Sequence, residues 1–166
     1  MAQEAQSRFT KGLVLHDDDG DSYWQPVPAN GYVTVKLTPE NWDGPFSVGI
    51  QVVAPHSYIR KHAHDRNLEV LFVWGGKGRA IVGDEEHPMR PGTLIMLPKN
   101  VEHKFINDGD EDLKLLWTMS PHGLEDFFRQ IGRPRKAGEP APANFPRPAN
   151  VHEIERNTVF ADPVED

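Results

Sequence analysis

The chain has 166 residues, a formal net charge of -7 and no cysteine, which suits one compact domain with a real core but not two. Its acidic balance, with a pI near 5.6, argues against nucleic acid, whose binders carry a basic patch, and the lack of cysteine removes both a disulfide scaffold and any thiolate ligand. MAQEAQSRFTKG at the start holds no apolar segment of signal-peptide type, and no run approaches about 18 apolar residues, so no membrane partner and a cytoplasmic location are expected.

Residues 1–30 read as an N-terminal arm. Asp17, Asp18, Asp19 and Asp21, interrupted by Gly20, form a solvated turn. An EF-hand loop would need further alternating oxygen ligands and a glutamate at its twelfth position, and Tyr23 and Gln25 do not continue such a pattern. SYWQPVPANG follows as a rigid connector able to lay Tyr23 and Trp24 against a neighbouring sheet. From 31 to 120 the chain is a succession of short β-rich runs, VTVKL, FSVGIQVV, LEVLFVW, RAIV, TLIML, HKFIN and LKLLWTM. Turn signals such as Gly83-Asp84 and Asn107-Asp108-Gly109-Asp110 separate them, the pattern of an all-β sandwich or barrel. Over 121–132, Leu124, Phe127, Phe128 and Ile131 fall at helical spacing before Gly132, which predicts one short C-terminal helix. Residues 133–166 begin with five prolines in RPRKAGEPAPANFPRPAN, too many for helix or central strand, and read as an extended arm. VHEIERNTVF then carries enough apolar residues to dock on its own barrel or on a partner subunit.

His62, His64, Glu69 and His103 carry the chemical signal. Residues two apart on a strand share a face, so His62 and His64 point the same way, and Glu69 returns to that face after a short turn. A histidine pair alone is more often a surface feature. An inward glutamate with three inward histidines, however, is costly in an apolar barrel unless a cation satisfies them, and imidazole plus carboxylate suits a transition metal better than calcium or magnesium. The same parity places Tyr58 and Arg60 beside His62; for Arg60 an outward salt bridge is an equal alternative to holding a substrate carboxylate or enolate. Leu71, Phe105, Trp117 and Met119 are the expected apolar substrate wall, while Phe72 and Trp74 fall on the opposite face, suited to packing or a subunit interface. His16, His87, His122 and His152 lack such context and read as surface histidines.

His62-Ala63-His64 followed by Glu69 and, after six residues, Gly76 resembles the first conserved motif of the cupin family. Gly92, five residues, Pro98, then His103 and Asn107 resemble the second, and the fifteen-residue gap from Gly76 to Gly92 matches the short spacer of microbial members. His56 and Asn100 stand where those motifs usually have glycine; both are turn positions, and Asn tolerates left-handed backbone well. The resemblance covers about residues 46 to 120. It implies a single jelly-roll β-barrel open at one end, commonly a homodimer, with one divalent transition metal (Fe, Mn, Ni, Co or Zn) held by His62, His64, Glu69 and His103.

Fold and metal together do not fix a reaction. The helix after the barrel is similar to that of quercetin-dioxygenase-like members, so a dioxygenase-type oxidoreductase acting on a small oxygenated organic substrate is the leading expectation. Glu69 would be ligand and base, with Tyr58 and Arg60 as further catalytic groups. A lyase, isomerase or decarboxylase using the metal as a Lewis acid is the first alternative, and a non-catalytic small-molecule binder is the second.

Overall fold

The structure, a computed structural model, describes residues 11–164; the first ten residues of the expected N-terminal arm lie outside the described residues. Along the chain run β1 (Asp21–Trp24), β2 (Tyr32–Leu37), β3 (Ser47–Val53), β4 (Ser57–His62), β5 (Leu68–Gly75) and β6 (Gly78–Val82). β7 (Glu85–Met89), β8 (Leu94–Leu97), β9 (His103–Asn107) and β10 (Leu113–Ser120) follow. After them come α1 (Leu124–Ile131), the two-residue β11 (Arg133–Pro134) and α2 (Val151–Asn157). The strands form two antiparallel sheets, in the orders β11-β1-β2-β3-β10-β5-β8 and β4-β9-β6-β7. Among the described residues the protein is thus mostly β, as expected, with two short helices rather than one.

Alternation in the sequence sets which way each strand faces. On β10, Leu113, Leu115, Trp117 and Met119 are buried while their neighbours turn outward. On β9, His103, Phe105 and Asn107 share the buried side, as a two-residue period requires. β7 carries Glu85, Glu86 and Pro88, and it forms the edge of the four-stranded sheet, where a residue without an N–H is tolerated. His56 and Asn100, at the two usual glycine positions, have φ of 53° and 63°, so both turns keep the left-handed backbone without glycine.

Three segments outside the β-rich stretch complete the barrel. β1, at the end of the expected arm, pairs with β2, and β11 adds to β1. α1 buries Leu124, Phe127, Phe128 and Ile131, the face its spacing predicts, with the Phe128 ring centroid 6.0 Å from that of Trp117. The tail docks on its own barrel through buried Phe145, Val151, Ile154, Val159 and Phe160.

Candidate metal centre

His62 closes β4 directly opposite His103 at the start of β9, and Glu69 enters from β5 in the other sheet. His64 lies past the end of β4, where its carbonyl accepts from the Asn100 backbone N–H at 2.8 Å. One ligand atom from each of the four lies within 4.8 Å of the others, and all four residues are buried. Glu69 Oε2 is 3.4 Å from Nε2 of both His64 and His103.

Each imidazole has its Nδ1 committed to a backbone carbonyl: His62 to Arg60, His64 to Val159 and His103 to Val101, all at 2.8 Å. A carbonyl only accepts, so Nδ1 carries the proton and each Nε2 presents a lone pair inward. Burial, then the neighbouring His103 and His64, holds the His62 pKa well below its ordinary value. His64 Nε2, His103 Nε2 and Glu69 Oε2 are buried with no hydrogen-bond partner. Facing acceptors without a donor are unfavourable in a low-dielectric interior. A divalent transition metal satisfies all of them, with imidazole and carboxylate as a fitting donor set.

His62, His64 and Glu69 of the cluster line a cavity of about 70 Å³, several times the roughly 10–15 Å³ needed by one water. Among the expected substrate-wall residues, Leu71 and Phe105 line it, together with Ile59, Phe127 and Phe160. Trp117 and Met119 face inward as parity requires but are fully buried in the core and do not line the cavity, a correction to their expected place on the substrate wall. Trp117 lies over Gly49 on β3, where an added Cβ would come within 2.4 Å of its ring, so its indole fills the space between sheet and α1.

A β-bulge between Ile59 and His62 changes the parity of β4. Ile59 pairs with Phe105 and His62 with His103, so Ile59, not Arg60, shares the ladder face of His62. Tyr58 contributes to the cavity lining, but its ring sits 4.5 Å beneath the Lys104 ammonium. Arg60 lines the cavity and pairs with the buried Glu155 rather than with an outward partner. His16, His56, His87 and His122 are exposed, and His152, though exposed, reaches Glu155 at 3.1 Å.

Several contributors come from segments whose sequence carries no site signal. Phe160 places its ring 5.2 and 5.1 Å from those of His62 and His64, and the Ala161 N–H donates to Ala63 O at 2.9 Å. Arg147, in the proline-rich arm, lines the cavity beside Arg60. Gln25 and Gln51, joined through Gln51 Nε2 and Gln25 Oε1, add polar groups to its floor. The apolar residues of VHEIERNTVF foretold docking; nothing foretold Arg147.

Two antiparallel sheets folded face to face, with three histidines and a glutamate converging from both, define a small jelly-roll barrel with a candidate metal centre. The Cupin domain profile matches residues 49–119, and Protein SchB of Streptomyces halstedii is 33% identical over 100 residues, covering 57% of this chain and 72% of SchB. The chain belongs to the cupin family. Gentisate 1,2-dioxygenase of a Haloferax species is 37% identical over 65 residues, which is 39% of this chain but 18% of that protein. L-ectoine synthase of Aliivibrio fischeri is 28% identical over 97 residues, covering 57% of this chain and 74% of the synthase.

Proposed function

We propose that this protein is a divalent-metal-dependent enzyme of dioxygenase type, cytoplasmic and homodimeric, acting on a small oxygenated organic substrate. The observation that carries the reading is the set of unsatisfied, buried ligand atoms of His64, Glu69 and His103 beside an apolar cavity. His62, His64, Glu69 and His103 would hold the ion, which when bound supplies Lewis acidity and, for a redox-active metal, electrons for oxygen chemistry. Ile59, Leu71, Phe105, Phe127 and Phe160 surround the substrate and exclude water. Glu69, buried and on the cavity lining, is the group placed to take a proton from substrate carbon or hydroxyl. Tyr58 and Arg60 on the lining supply a second proton carrier and a fixed positive charge.

The likeness to gentisate 1,2-dioxygenase supports the oxygenase class. The longer overlap with L-ectoine synthase, a protein not named for oxygenation, supports a second reading in which the same centre acts without oxygen.

Elemental analysis of purified wild type is expected to find a divalent transition metal, and His62→Ala to lack it. An oxygen electrode with the metal-loaded protein and a panel of hydroxylated and enolisable organic acids should then record uptake matched to product. Product formed at an undiminished rate under strict anaerobiosis would remove the dioxygenase reading in favour of the second. Unchanged activity in both His62→Ala and His103→Ala would remove every metal-dependent reading.

A further inference from the structure

The cavity has a second charged feature besides the metal cluster. Arg60 on β4 and Arg147 in the proline-rich arm both line it, and both donate through Nη2 to the same oxygen, Oε1 of Glu155 on α2. The side chains of Arg60 and Arg147 are 17% and 19% exposed, and that of Glu155 is 1% exposed. Oε2 of Glu155 is occupied by His152 Nδ1 at 3.1 Å. A single carboxylate therefore serves two guanidiniums, and one positive charge is left over on a largely enclosed wall. Arg60 has a further hydrogen bond, from Nη1 to the Lys61 carbonyl at 3.1 Å. Arg147 makes no hydrogen bond beyond that to Glu155 among the described residues, so most of its five N–H donors are uncommitted. Burying excess cationic charge is unfavourable without an anion to meet it.

Resting on the proposed enzymatic reading, we propose that Arg60 and Arg147 bind a carboxylate of the substrate, so that the substrate class is small organic acids. The planar guanidinium fork matches a carboxylate in two parallel hydrogen bonds. A molecule held there by its acid group presents the rest of its body to Ile59, Phe105, His62, His64 and Glu69, which line the same cavity. Glu155 has two roles in this arrangement. It fixes both guanidiniums at the cavity wall, and as an anion it competes with the ligand for them.

Benzoate and benzamide, alike in shape and different in charge, are suitable probes, measured by calorimetry on metal-loaded wild type and variants. Benzoate is expected to bind at least about tenfold more tightly than benzamide, and Arg147→Met to lose about that factor for benzoate alone. Arg147→Lys should retain part of it, with metal content unchanged in both. Glu155→Gln, which removes the competing charge, should tighten benzoate, an outcome opposite to that of a purely structural strut. His62→Ala tests the two proposals apart: it abolishes metal binding but keeps the preference for benzoate over benzamide. Equal binding of the two probes, binding of neither, or an unchanged benzoate affinity in Arg147→Met would overturn the carboxylate site and leave the metal reading standing.

Discussion

At the scale of single residues, the centre depends on what the second nitrogen of each histidine does. With Nδ1 of His62, His64 and His103 donating to carbonyls, the rings are held in the tautomer and direction that aim Nε2 at Glu69. Glu69→Gln keeps the shape but replaces an anion by an amide, and metal affinity should fall by at least about tenfold in a competition titration with a chelator. Gly49→Ala tests a different residue-scale constraint. Its methyl would meet Trp117 Cζ2 at 2.4 Å and Thr34 O at 2.9 Å, and the variant should lose about 1–3 kcal/mol in chemical denaturation. His62, His64, Glu69 and His103 were legible in sequence because local spacing and two turn frames identify them together. The places of Ile59 and Trp117 were not, because a bulge between Ile59 and His62 and the packing of Trp117 over a glycine are properties of pairing across strands. Such pairing leaves no local period to read.

At the scale of elements, the tail is part of the centre. Val159 O orients His64, Phe160 covers two of the imidazoles, and α2 supplies Glu155 to the arginine pair. Removal of residues 151–166 should therefore weaken metal binding by about 10–100-fold, the range for losing a group that orients a ligand. Circular dichroism would verify that the barrel persists. The seven-residue α2 has too few turns to be helical on its own or to show a helical period, and docking decides its form. Its attachment is also pH-dependent. Burial raises the Glu155 pKa, but Arg147 and Arg60 outweigh that effect and hold the group below its ordinary 4.5. A carboxylate with a depressed folded pKa contributes stability that is complete above the ordinary value and lost as pH falls toward the folded one. Protection of the 151–157 amides, taken relative to their intrinsic exchange rates, should thus be high at neutral pH and fall selectively as pH drops below the ordinary glutamate value.

At the scale of the whole molecule, the sheet that carries Glu69 inward presents an apolar face outward. Phe72 and Trp74 on β5, Leu94 and Met96 on β8 and Leu116 on β10 are exposed, Leu94 by 63% and Met96 by 57%. Cross-strand register makes them neighbours, with Phe72 opposite both Leu94 and Leu116. β8 is also the terminal strand of its sheet, and an unprotected apolar edge favours pairing with another chain. A second copy of this chain is the occupant that fits the proposed homodimer, because a two-fold axis sets the same patch against itself. Light scattering after gel filtration should give twice the chain mass of 18.7 kDa for wild type. Leu94→Glu with Met96→Glu, placing four buried charges in such an interface, should give the monomer mass while metal content stays at the wild-type level. The metal cluster and its cavity lie on the inner side of this sheet, so assembly and the centre should separate cleanly; a monomeric wild type would remove the homodimer without touching the site.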